Sequence, residues 1–224
     1  MSHPFLIEWQ HGFIKGISCE TQLILTHHQW ATARDKGRQV DVVFLDFSKA
    51  FDKVNHAVLL QKLCNFGITG SLLQWCESCL SNRQQRVVLD SISPSWSDVS
   101  SGVPQGSLLG PLFFVLFISD LPEVVIPDST IALYADDCKC SRIIGTAGDL
   151  ELFQQDLDSL HQWSVRNFMN FNVKKCKIMK STKKIQPFTS SFYWKTVNWK
   201  RLKSLKTWGL LQIITYHGTH LEIM

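Results

Sequence analysis

The sequence has no apolar run long enough to cross a membrane, because the longest, Leu108 to Ile118, is broken by Gly110-Pro111. It also lacks an N-terminal basic stretch leading into an apolar one, so no secretory signal is read. The seven cysteines form an odd set without a regular framework, which argues against a disulfide scaffold and fits a reducing compartment. The expected location is therefore intracellular, nucleus or cytoplasm, and not secreted, with no membrane partner. Cys76-x-x-Cys79 and His217-x-x-His220 each hold half of a zinc signature, but Cys76 lies beside Leu73 and Leu80 in an expected helix and reads as core. Internal repeats and low-complexity segments are missing too, which excludes a solenoid. Acid is absent over one long stretch: Ser159 to Leu221 contains no Asp or Glu, while eleven of the 23 Lys and Arg lie between Lys174 and Lys206.

What is present supports a folded domain. With 224 residues, 45% of them hydrophobic, and a net charge of only +4, the chain can bury a real core as one domain or one domain plus a tail.

Tyr134-Ala135-Asp136-Asp137 places adjacent acids directly after the apolar run Ile131-Ala132-Leu133, and Asp46 ends a similar run, Val42-Val43-Phe44-Leu45. Two like charges about 4 Å apart repel by roughly 4 kcal/mol at an effective dielectric near 20, so carboxylates converging on one point call for a cation. Hard oxygen ligands suit Mg²⁺, held by carboxylates together with substrate phosphates, and a pair of such ions about 3.5 to 4 Å apart serves in-line phosphoryl transfer. The competing readings are a polar hairpin turn for Asp136-Asp137 and a helix N-cap for Asp46, a post Ser48 or Asn55 fills equally well. Between the acids lies Ser101-Gly102-Val103-Pro104-Gln105-Gly106-Ser107-Leu108-Leu109-Gly110-Pro111, a loop whose glycines permit tight turns and close backbone approach to a ligand.

Taken together, Phe44-Leu45-Asp46-Phe47-Ser48-Lys49-Ala50-Phe51-Asp52, the glycine loop and the Tyr-Ala-Asp-Asp box resemble the motifs of reverse transcriptases in order and spacing. Lys49 to Asp52 and Ser101 to Pro111 resemble the non-LTR, LINE-type branch near the jockey and chicken-repeat elements. The resemblance runs from about His11 to Met179. It implies an RNA-directed DNA polymerase acting on an RNA template, a DNA primer and deoxynucleoside triphosphates, with two Mg²⁺ ions or Mn²⁺ in their place. Asp46, Asp136 and Asp137 would be the catalytic metal ligands, helped by the Phe47 carbonyl. Phe51 matches the steric gate against a ribose 2′-hydroxyl, Gln105 and Gly106 would border nucleotide and template, and Lys175 resembles the lysine that protonates the leaving group. Lys174, Lys177, Lys180, Lys183 and Lys184, interleaved downstream with Phe192, Tyr193, Trp194, Trp199 and Trp208, can neutralise phosphates and stack on bases.

There are departures from the family. Ile14 and Ile17 stand where the finger motif usually carries arginine, and Leu205-Lys206-Thr207-Trp208-Gly209-Leu210 is an altered primer-grip box. A thumb, an upstream finger segment and an endonuclease are expected to be absent. The alternative to an active polymerase is a catalytically inactive retroelement remnant that at most binds nucleic acid, and a two-metal nuclease is a weaker third reading.

The pattern predicts strands over Val40 to Phe47 and Arg86 to Leu89, and a hairpin over Thr130 to Cys140. Helices are predicted over Val54 to Phe66, Ser71 to Leu80, Pro111 to Ile118 and residues 147 to 171, the last opened by a capping box of Thr146 and Asp149. The expected fold is an α+β polymerase palm, an antiparallel sheet with helices packed on one face, plus partial fingers. Its expected divisions are a finger segment over 1–40, a palm with finger insertion over 41–180 and a basic aromatic tail over 181–224.

Overall fold

The computed structural model describes residues 9–86, 88, 95–183, 187, 188, 192–194, 197, 198, 200 and 201, the last six of these, from 193 on, by backbone alone. In chain order the elements are α1 (Cys19–Asp35), β1 (Gln39–Asp46), α2 (His56–Asn65), α3 (Gly70–Leu80), β2 (Gln84–Gln85), β3 (Ser97–Asp98), α4 (Leu109–Phe117), β4 (Ser129–Tyr134), β5 (Asp137–Ile144), α5 (Ala147–Arg166), β6 (Lys177–Ser181), β7 (Tyr193–Trp194), β8 (Val197–Asn198) and β9 (Lys200–Arg201). Short 3₁₀ turns cover Phe51–Lys53 and Leu121–Val124.

The main sheet has strand order β4-β5-β1-β6-β9. Its first four strands pair antiparallel and β9 joins β6 in parallel. Side chains alternate across it with period two, and the two faces do different work. Val43, Leu45, Cys138, Cys140, Ile131, Leu133 and Ile178 point to the face covered by α2, α4 and α5, where Leu59, Leu63, Phe114, Phe117, Phe153, Leu157 and Leu160 complete the main core. Val40, Val42, Phe44 and Met179 point the other way, onto Trp30 and Ala33 of α1. The palm expectation holds, with one refinement: helices are not confined to one face, because α1 covers part of the second. Burial pushes the Cys138 and Cys140 thiols well above their ordinary range.

Local chemistry explains the element ends. Asn55 caps α2 by accepting from Val58 N at 3.0 Å, so the cap falls there and Asp46 stays in its strand. Thr146 and Asp149 form the expected capping box, and Gly67 follows α2 at φ 82. Helix α5 stops at Arg166, short of 171, where Phe168 turns to φ 55 and Phe171 pairs back with Phe47. The strand expected over Arg86 to Leu89 is represented by Gln84–Gln85, and much of the rest lies outside the described residues, as do Lys184, Trp199, the Leu205 to Leu210 box, Trp208, His217 and His220. Cys76 is buried in the main core, as its helical neighbours implied.

A buried charge cluster locks α5 to the sheet. Asp156 is fully buried, accepts from Ile126 N at 2.7 Å and from the Ser129 hydroxyl, and lies 3.7 Å from Arg142. Removing it takes the counter-charge from a buried guanidinium and leaves the Ile126 and Ser129 donors without their acceptor, so Asp156→Ala is expected to destabilise the chain by about 3 to 5 kcal/mol. Urea unfolding followed by circular dichroism measures this, and a change under 1 kcal/mol, or thereabouts, would show that the cluster is energetically idle.

Candidate active site

The acids meet at one end of the sheet. Asp46, the last residue of β1, is the register partner of Asp137, the first of β5. Directly opposed residues of an antiparallel pair share a face with Cβ atoms about 4.5 to 5.5 Å apart, so both carboxylates project from the face opposite the main core. Asp136 sits between them in sequence terms, at the tip of the two-residue turn that joins Tyr134 to Asp137. Ala135 takes φ 52 there, the first central position of a hairpin turn, where glycine is the comfortable residue.

The electrostatics are those of crowded carboxylates. Burial raises the Asp46 carboxyl above its usual range and Asp137 adds to this, while Lys175, its Nζ 3.4 Å from Asp46 Oδ2, opposes. Asp136 is raised by burial first, then by Asp137 and, more weakly, by Asp46. Asp46 Oδ1 is buried without a hydrogen-bond partner. An orphaned buried carboxylate oxygen facing a second carboxylate is a fit for a hard cation. Among the described residues no group of three or more His, Cys, Asp or Glu side chains is placed to hold a metal ion, the three acids included, so an ion at the pair of Asp46 and Asp137 would need oxygens from elsewhere, such as the Phe47 carbonyl or a phosphate. Lys139, on the same face, is buried against Gln22 at 2.7 Å, and burial lowers it to about 8.

Lys175 is carried by a turn fastened to Asp46 itself. Asn172 N donates to the Asp46 carbonyl at 2.7 Å, Ser48 N to Asn170 O at 2.9 Å, and Lys175 N to Asn172 O at 2.9 Å.

The glycine loop is latched to the 3₁₀ turn after β1. Gly102 N donates to Val54 O at 2.8 Å and Val103 N to Phe51 O at 2.9 Å. The Ser101 hydroxyl donates to Asp52 O at 2.9 Å and Gln105 Nε2 to Asp52 Oδ1 at 2.7 Å, while His56 Nε2 lies 2.8 Å from Gly102 O. Gly102 is required twice over, since it holds φ +88 and an added Cβ would stand 2.8 Å from Asp52 O. Gly106 holds φ +77 with open space beyond it. The half-buried Phe51 ring stacks on Phe114 at 4.5 Å and presents its edge to Phe13 at 6.2 Å, so it has a packing contact whatever else it does. A polar cavity of about 510 Å³ opens beside this latch, lined by Lys49, Lys53, Arg83, Asp52, Asp98 and Gln105. A second, of about 380 Å³, lies under α1 at the far end of the sheet from the acids.

The basic residues divide. Lys174 and Lys175 are exposed, and Lys177, half-buried, shares the face of Asp46. Lys183 pairs with Asp35 at 2.7 Å. Lys180 corrects the expectation of a backbone contact, because it points to the opposite face, 8% exposed, 3.8 Å from Asp41 and over the Phe192 ring. Sequence reading missed Gln10, His56, Arg83 and Asn172, whose roles are hydrogen bonds to distant backbone and leave no periodic trace.

Comparison with known proteins identifies the family and the fold. Residues 1–202 match the family described as reverse transcriptase (RNA-dependent DNA polymerase). The chain is similar to the RNA-directed DNA polymerase from mobile element jockey of Drosophila melanogaster, 36% identical over 143 residues, covering 59% of this chain and 15% of that one. It is also similar to the probable RNA-directed DNA polymerase from transposon BS of the same species, 30% identical over 178 residues, covering 76% of this chain and 19% of that one. The chain thus spans less than a fifth of the length of these relatives. Among solved structures, apo telomerase of Candida tropicalis truncated from its C-terminal domain shares the fold, with TM-score 0.58 and 14% identity over 80% of this chain and 37% of the telomerase. With the family match running over residues 1–202 of its 224, the chain belongs to the reverse transcriptase family.

Proposed function

We propose that this chain is the palm of a retroelement's RNA-directed DNA polymerase, extending a DNA primer on an RNA template by two-metal nucleotidyl transfer. The observation that carries the reading is Asp46 set opposite Asp137, with Asp136 at the adjoining turn and a buried Asp46 oxygen left unpartnered. Asp46, Asp136, Asp137 and the Phe47 carbonyl would hold Mg²⁺ or Mn²⁺. When bound, divalent ions supply activation of the attacking hydroxyl and charge stabilisation on the leaving pyrophosphate.

The chain's own groups do the rest. Lys175, fastened to Asp46 through Asn172, is placed to neutralise or protonate a leaving phosphate beside that carboxylate. Lys49, Lys53 and Arg83 give the cavity beside the glycine loop cations suited to nucleotide or template phosphates, with Gln105 in its lining and Gly106 next in the chain. Lys174, Lys177 and Lys183 extend positive charge along the adjoining strand and suit a primer-template backbone. Phe51, anchored on Phe114, would set its ring against the sugar and exclude a 2′-hydroxyl.

Primer extension on an RNA template tests the reading, and Asp46→Asn is expected to lower the rate at least about a thousandfold. Nucleic-acid binding without extension by the wild type would instead favour an inactive remnant.

Sugar selection is tested separately. Phe51→Ala should admit ribonucleotides about five- to 150-fold more readily, which is the worth of roughly 1 to 3 kcal/mol of stranded hydroxyl. An active variant with unchanged sugar preference would leave Phe51 with packing alone.

The crowded acids also predict a trade of stability against function. A carboxyl whose folded-state pKa is raised favours folding below its ordinary value of 3.8, and that contribution is lost as pH rises through the raised value. Without divalent ions, Asp136→Asn should therefore match wild type in acid and become more stable than it at neutral pH, while losing extension activity. Thermal melts across pH measure the difference, and a gap that widens toward acid would contradict the sign.

A further inference from the structure

We propose that Gln10 is a positioning residue for the acid-bearing turn, fixing both peptides around Ala135 and thereby the aim of Asp136 and Asp137. The proposal rests on the reading that these acids bind divalent cations.

The tip of a two-residue hairpin has backbone groups that no ladder satisfies, and a left-handed Ala135 must be held by its surroundings. Gln10 meets both needs. Its side chain is fully buried, its Oε1 accepts from Ala135 N at 2.9 Å and from Gly12 N at 2.7 Å, and its Nε2 donates to Ala135 O at 3.2 Å. Oε1 thus holds the peptide joining Tyr134 to Ala135, and Nε2 holds the peptide joining Ala135 to Asp136. A rotation of either would re-aim the carboxylates that follow.

The backbone brings Gln10 to this place independently. Leu133 N donates to Trp9 O at 2.7 Å and His11 N to Leu133 O at 2.9 Å, so the segment lies along the edge of β4. Gly12 allows the closest approach, because a Cβ there would stand 2.2 Å from Ala135 N. The finger segment therefore reaches the acids through one carboxamide that touches neither carboxylate.

The test compares the wild-type chain with Gln10→Ala and the near-isosteric Gln10→Met by amide hydrogen exchange and by Mn²⁺ binding followed by electron paramagnetic resonance. In both variants the Ala135 amide should exchange at least about tenfold faster, while Leu133, bonded to Trp9, stays within about twofold. The Mn²⁺ dissociation constant should rise about tenfold, as when a partner that orients metal ligands is lost. Unchanged Ala135 exchange overturns the proposal. So does faster exchange across β1 in both variants, which would assign Gln10 to general stability, and so does altered exchange with unchanged Mn²⁺ affinity. A wild type that takes up no Mn²⁺ overturns the cation reading instead, and Ala135 exchange then decides alone whether Gln10 fixes the turn.

Discussion

The pairing of β1 with β5 runs from Gln39 opposite Ile144 to Asp46 opposite Asp137 without a bulge, and the rest of the molecule depends on that register. Because side chains alternate, a slip of one residue would send Val43 and Leu45 out of the main core and move Asp46 off the face it shares with Asp137. Packing and site are thus the same constraint seen at different points along two strands. The core residues select the register, and the register delivers the acids.

Around this pair the site is assembled by backbone hydrogen bonds more than by side-chain contacts. The glycine loop is latched to the turn after β1 through Val54, Phe51 and Asp52, and the Lys175 turn is fastened to the Asp46 carbonyl through Asn172. The glycine loop and the Lys175 turn therefore both take their position from β1 and the turn that follows it. Such an arrangement tolerates replacement of many side chains while demanding glycine where backbones close to within contact, as at Gly102.

Much of this was legible in the sequence because it leaves local marks. Apolar runs ending in acid, a capping box at Thr146 and glycines at fixed spacing each follow from short-range physics, and the strand, the hairpin and four helices lie within a few residues of expectation. What escaped is non-local. Helix α1 has no strong amphipathic stripe, since it buries Gln22, Thr26 and Cys19 beside Trp30 and Ala33. Strand β6 hides its period-two pattern behind lysines, one of which, Lys180, is paired with a buried acid. Gln10 carries no pattern at all, for its partner is more than a hundred positions away.

The same alternation also sorts the sulfur and oxygen atoms of β5 onto opposite faces. Cys138 follows Asp137 directly and Cys140 stands two further on, yet both thiols face the main core, fully buried and held protonated. On the other side β5 sets the Asp137 carboxylate and the Lys139 amine, with Asp137 directly opposite Asp46. By turning sulfur inward and oxygen outward on consecutive residues, the pleat of β5 keeps its own two thiols away from the acid pair.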